Sequence, residues 1–126
     1  MNSRFGRRGT VLAVTVLAAT AIAGGALAAT VGHRSTTSTR ITATERDYRI
    51  ALSRRTAPAG RITFVVHNKG QTDHEFAVKG NGVRKHIRGV IAPGKTKSLT
   101  VTLKRGTYTL YCALHFGMKK TLKVVR

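Results

Sequence analysis

An alternation of apolar and polar residues in period two runs through most of the chain beyond residue 40. It constrains the fold more than any other feature. Ile62, Phe64 and Val66 alternate with Thr63, Val65 and His67, and Phe76 and Val78 with Glu75, Ala77 and Lys79. Leu99, Val101 and Leu103 alternate with Ser98, Thr100 and Thr102. Tyr108, Leu110 and Cys112 do so with Thr107, Thr109 and Tyr111, and Leu122 and Val124 with Thr121, Lys123 and Val125. Successive side chains of a strand point to opposite faces, so this pattern, rich in β-branched and aromatic residues, is that of half-buried strands. Tyr48, Ile50 and Leu52 predict an earlier strand, and residues 40–44 another. Turn sequences separate them: Ala57-Pro58-Ala59-Gly60, Asn68-Lys69-Gly70, Gly80-Asn81-Gly82, Ala92-Pro93-Gly94 and Arg105-Gly106. Residues 83–91 carry the weakest pattern and read as an edge strand or a loop. The expectation is an all-β antiparallel sandwich of about seven strands.

The first thirty residues follow a different rule. Arg4, Arg7 and Arg8 precede an uncharged, mildly apolar run over 10–31 that contains the small-x-small triplet Ala26-Leu27-Ala28. This is the pattern of a signal peptide over 1–28, with an uncleaved anchor as the rival reading. Arg7-Arg8 hints at twin-arginine export, although Gly6 and Thr10 are not what that pathway prefers. Either way the remainder is expected outside the cytoplasm: periplasmic, associated with the cell envelope, or extracellular. The Ser/Thr-rich stretch 29–39 reads as a tether, and 40–126 as the folded domain.

The chain has 126 residues, with 23 Lys and Arg against 4 Asp and Glu, a net charge of +19. Loss of 1–28 removes three Arg and no acid, leaving +16. The basic residues are scattered along the strands and turns, with little aromatic interleaving. That pattern and export argue against nucleic acid and for an acidic partner surface or peripheral contact with anionic membrane. Four acids leave little for carboxylate-driven hydrolysis, and no Gly-rich phosphate loop leads from a strand into a helix. A single Cys excludes an intramolecular disulfide, yet a domain this small ordinarily wants a disulfide or a metal as a staple.

The lone Cys stands in Cys112-Ala113-Leu114-His115-Phe116-Gly117-Met118, between two predicted core strands. Thiolate, imidazole and thioether at i, i+3 and i+6 are ligand types suited to copper. A site of two His and one Cys with a weak axial Met needs a second imidazole, for which His74 is the candidate, at the start of the strand His74–Val78. His67 and His86 have no Cys or Met beside them and read as surface residues.

With these motifs the chain resembles the cupredoxins, the small blue-copper proteins, over nearly the whole domain from Asp47-Tyr48 to the C-terminus. Gly106–Cys112 looks like the strand leading into their ligand loop. The Cys-x₂-His-x₂-Met spacing is similar to the short loop of amicyanins. The resemblance implies a Greek-key sandwich holding one copper ion, with His74, Cys112 and His115 as equatorial ligands and Met118 axial. Leu114 stands where many cupredoxins have Pro. Glu75 stands where several have an Asn bracing the two ligand loops, so any side-chain brace must differ. Leu114 and Phe116 are expected to form an apolar collar around His115, with Tyr111 or Tyr108 as a rim residue.

The function expected is single-electron transfer by a monomer, not catalysis. The alternatives are extracytoplasmic copper carriage or storage, and a cationic interaction module on the same scaffold without redox use.

Overall fold

The computed structural model describes residues 37–126, and the signal peptide read over 1–28, with residues 29–36 of the tether, lies outside the described residues. Nine strands form over the described residues: β1 (Thr39–Arg46), β2 (Arg49–Leu52), β3 (Thr56–Pro58), β4 (Gly60–Asn68), β5 (Ala77–Gly80), β6 (Val83–His86), β7 (Thr96–Leu103), β8 (Gly106–Tyr111) and β9 (Lys119–Val125). They make two sheets, with strand orders β2-β1-β4-β7 and β3-β9-β8-β5-β6.

The alternation does what period two requires. Ile41, Ala43, Ile62, Phe64, Val66, Val101 and Leu103 from one sheet meet Ala57, Val78, Tyr108, Leu110, Leu122 and Val124 from the other in one buried core. Phe64 and Phe76 pack with ring centroids 5.3 Å apart. Burying a side chain of this size removes enough apolar area to contribute about 2–3 kcal/mol each. Val65 is buried although it lies in the polar phase of β4, the one place in that strand where the pattern misleads.

The sheets are not purely antiparallel as expected: β1 runs parallel to β4 and β3 parallel to β9. The two-residue turn Asp47-Tyr48 reverses the chain from β1 into β2, which pairs on the side of β1 away from β4. Two further expectations are corrected, and the segment read as an edge strand or a loop is both in turn. Ala57-Pro58 is not only a turn; with Thr56 it forms the short edge strand β3 against β9. Residues 83–86 form an edge strand against β5, and the chain then runs as a loop to Ile91. Tyr48 belongs to the turn rather than to a strand, with φ at 66°.

At the far end from that turn, Tyr108 donates its hydroxyl to the carbonyl of Lys104, 2.9 Å away, and Asn81 donates to the carbonyl of Arg105. Gly80 lets β5 finish there: its φ is 139°, and a Cβ would come within 2.7 Å of the Thr107 carbonyl.

Register gathers what the linear sequence scatters. Lys79 pairs with Arg84 and Thr109, Thr109 with Thr121, and Thr107 with Lys123. Val78, Leu122 and Val124 beside them are buried, so Lys79, Thr121 and Lys123 face out from the five-stranded sheet, and Arg84 shares that face as the partner of Lys79. A shallow basin of about 420 Å³ on this sheet is lined by Arg55, Lys79, Thr109, Lys119, Lys120 and Thr121, with no acid among them. The outer positions of the other sheet are mainly hydroxyls, among them Thr42, Thr63, Ser98, Thr100 and Thr102.

Candidate metal centre

Three segments converge at one end of the sandwich. The first is the loop after β4. Asn68 is buried there and its side chain ties the loop down: Nδ2 donates to the carbonyls of Thr72 and Ile91, both at 2.7 Å, and Oδ1 accepts from the Gly70 N–H. His74 and Ile91 exchange backbone hydrogen bonds in an isolated bridge, so His74 sits in a clamped loop rather than at the start of a strand; β5 begins only at Ala77. Asn68 thus braces the His74 loop against the segment that carries Ile91.

The second segment is the loop joining β8 to β9. The Cys112 N–H donates to the Met118 carbonyl at 3.0 Å and the Met118 N–H to the His115 carbonyl at 3.2 Å, which closes the loop on itself. Cys112 and Met118 are buried with Ile50 of β2 in a small apolar cluster. His115 is half-buried, with Leu114 and the fully exposed Phe116 beside it in the loop.

The third segment is the β1–β2 turn. Tyr48 presents its ring to the His115 ring edge-on, with centroids 5.1 Å apart. A bulky residue at positive φ is costly. Here it places an aromatic side chain against His115.

His74, Cys112 and His115 meet through three particular atoms. His74 Nδ1 lies 3.1 Å from His115 Nδ1 and 3.8 Å from Cys112 Sγ, and His115 Nδ1 lies 3.5 Å from the same sulfur. A triangle with these sides has a point about 2.0 Å from all three corners, close to ordinary metal–imidazole and metal–thiolate bond lengths of about 2.0 and 2.3 Å. These are two imidazoles and one thiolate, the donor set of a trigonal copper site.

Electrostatics favour donors rather than cations here. Burial, and then the proximity of His115, hold His74 below the ordinary imidazole value, which keeps the ring neutral with a lone pair to give. The Glu75 N–H donates to Cys112 Sγ at 3.2 Å. Tyr111, the rim residue next to Cys112, is half-buried with the Lys79 ammonium 5.0 Å from its ring centre, whereas Tyr108 is core. His67 instead meets Thr96 on the outer side of β4, and His86 is exposed; neither approaches the site.

Residues 11–124 match the model of the cupredoxin-like domain. The chain belongs to the cupredoxin-like family. Two solved cupredoxins align with this one at the level of fold. Dithionite-reduced auracyanin from Roseiflexus castenholzii has a TM-score of 0.54 and 21% identity, covering 71% of this chain and 98% of its own. The reduced Cu(I) form of an amicyanin variant has a TM-score of 0.55 and 17% identity, covering 72% and 87%. Among curated proteins, this cupredoxin is 36% identical over 69 residues to the iron uptake system component EfeO of Yersinia pseudotuberculosis and of Yersinia pestis. That match covers 55% of this chain and 18% of EfeO, so the cupredoxin spans about a fifth of those relatives.

Three residues at the site lie beyond the reach of the sequence pattern. Tyr48, which packs on His115, reads there only as part of a strand. Asn68 was visible only as a turn former. Asp47 was visible only as one of four acids, yet it reaches His74 from the β1–β2 turn. The one available signal was scarcity: in a chain so basic, two of the four acids flank His74 in sequence as Asp73 and Glu75.

Proposed function

We propose that this cupredoxin is an exported carrier of single electrons, in which His74, Cys112, His115 and the thioether of Met118 would hold one copper ion. The observation that carries this reading is the triangle of Nδ1, Nδ1 and Sγ atoms at 3.1, 3.5 and 3.8 Å. Copper supplies the one-electron couple; the protein's part is to keep the donors still. The clamped His74 loop, the closed Cys112–Met118 loop and the buried Ile50 cluster restrain all four side chains, which lowers the rearrangement accompanying a change of oxidation state. The half-buried ring of His115, among exposed Leu114, Phe116 and Tyr48, gives electrons a short exit. The signal-like residues 1–28 support export. The cationic basin beside Tyr111 supports an acidic partner surface, approached faster at low salt.

A second reading, extracytoplasmic metal handling, is favoured by one observation, the 36% identity to a stretch of EfeO. Addition of Cu(II) to the purified protein separates the two. Electron transfer predicts an intense thiolate-to-copper band that bleaches with mild reductant and returns on reoxidation. Metal handling predicts tight Cu(I) binding and rapid exchange without a stable blue form. Wild-type copper affinity retained in Cys112→Ser would refute the site itself.

A further inference from the structure

The metal-facing side of His74 is Nδ1, and its other ring nitrogen is the one left over. Nε2 is fully buried and has no hydrogen-bond partner. The carboxylate oxygen Oδ1 of Asp47 lies 3.7 Å from it. Asp47 is itself fixed: the Gln71 N–H donates to both its oxygens at 3.0 and 3.1 Å, and Thr72 donates its N–H and hydroxyl to Oδ1 at 3.3 and 3.1 Å. These donors, the Gln71 amide foremost, hold its carboxyl below the usual carboxylate range. Gly70 completes the arrangement, because a Cβ there would stand 2.5 Å from Asp47 Oδ1 and 3.1 Å from His74 Nε2. Any other residue would wedge the two apart. Among the described residues, the contact with His74 is the only ion-pair contact Asp47 makes, in a chain with 23 Lys and Arg.

We propose that Asp47 is a positioning residue for His74: it holds the imidazole in the tautomer protonated at Nε2, leaving the lone pair of Nδ1 directed at Cys112 and His115. A neutral imidazole carries one proton on one of its two nitrogens, and the partner of the far nitrogen decides which. A carboxylate facing Nε2 favours an N–H there and opposes a lone pair there. With Nδ1 of His74 only 3.1 Å from Nδ1 of His115, the tautomer is not indifferent, since a proton on the inner nitrogen would fill the place a metal needs. Carboxylate partners of metal-binding imidazoles also raise ligand basicity, and losing one typically costs 10–100-fold in metal affinity. The fixed negative charge favours the more highly charged metal ion, so its loss weakens Cu(II) more than Cu(I).

The proposal rests on the copper-site reading for its purpose, but its first test needs no copper. Long-range ¹⁵N–¹H correlation of the His74 ring in the metal-free full chain at pH 7 reports the proton position directly. A proton on Nε2 in the wild type, moving wholly or partly to Nδ1 in Asp47→Asn and in Gly70→Ala, is the expected result. A wild-type proton on Nδ1 overturns the proposal without recourse to any variant, so misfolding of a variant cannot shelter it. The second measurement is copper affinity by competition with chelators. Asp47→Asn is expected to weaken Cu(II) tenfold or more and Cu(I) by less, raising the reduction potential. Affinities for both ions within twofold of wild type would overturn the role. Failure of the wild type to bind copper would remove the site proposed above, while the ring measurement would still decide the Asp47–His74 pairing.

Discussion

The backbone N–H of Glu75 lies 3.2 Å from the sulfur of Cys112 and donates to it across the gap between two loops. The bond comes from the main chain, so it is independent of the side chain at position 75. A hydrogen bond to a thiolate withdraws density from the sulfur and stabilises the electron-rich, reduced form of a metal bound to it. Glu75→Pro removes the donor and is expected to lower the reduction potential and shift the thiolate-to-copper band. Glu75→Gln keeps the N–H and should leave the band in place. Spectroelectrochemistry of the two variants against wild type checks this. His74 already lies in an extended bridge, a conformation that a following proline tolerates.

Glu45 predicts a pH dependence of stability. It points into the core from β1, fully buried, and neither carboxyl oxygen has a hydrogen-bond partner. Burial pushes its pKa up from 4.5 to about 7. For an acid raised in this way the folded state holds a proton that the unfolded state has lost. Stability is therefore greatest below the unfolded value of 4.5 and falls as pH rises towards 7. The full difference is about 3 kcal/mol as an upper figure. Glu45→Leu should flatten the decline and raise the melting temperature most above pH 7, as thermal unfolding at pH 5, 6, 7 and 8 would show.

The cationic basin predicts a charge-dependent rate. Lys79 and Lys119 line both this basin and the recess beside Cys112, so their charges lie at the edge of the candidate metal centre. With copper bound, Lys79→Glu/Lys119→Glu is expected to slow electron exchange with an anionic small complex such as hexacyanoferrate severalfold at low ionic strength. It should speed exchange with a cationic complex, and both effects should shrink above about 0.2 M salt. Stopped-flow rates across a salt series decide it. Equal slopes for mutant and wild type would count against the basin.

Tyr108 separates fold from site. Its ring is core and its hydroxyl donates to Lys104 at the end of the sandwich remote from the Asp47–Tyr48 turn. Tyr108→Phe removes that bond and leaves the ring in place, at an expected cost of about 1 kcal/mol. The copper spectrum should not change. Denaturant melts and visible spectra of one preparation measure both.

The alternation made the sandwich legible because each strand presents one face to the core and one to water. It failed where pairing partners are distant. β3 carries the turn sequence Ala57-Pro58 and is a strand only because β9 lies alongside it. The parallel pairing of β1 with β4 leaves no local trace. In the phase of β1, Ile41, Ala43 and Glu45 all point inward, yet a carboxylate in that phase does not read as core. The chemistry of the Cys112–Met118 loop was legible because its donors are packed into seven residues. Asn68 and Asp47 were not, since one acts through backbone carbonyls of other loops and the other on a ring 27 positions away. The basic surface was misleading in the same way: spacing along the chain scatters Lys79, Arg84 and Lys123, and register brings them to one face.

The place of β9 in the sheet has a consequence for maturation. It lies between β3 and β8, and it follows both in the chain. Met118 and the carbonyl that fastens Cys112 arrive immediately ahead of it. During synthesis Cys112 follows Ile50 and the Glu75 N–H that contact it, but precedes the Met118 carbonyl that closes its loop. The Cys112–Met118 loop therefore closes only once β9 pairs with β8, whereas the residues of the His74 side all come earlier in the chain. Until that pairing forms, the loop lacks the hydrogen bonds that bring Cys112, His115 and Met118 together, so a lesion in β9 far from the ligands would still be felt at the site.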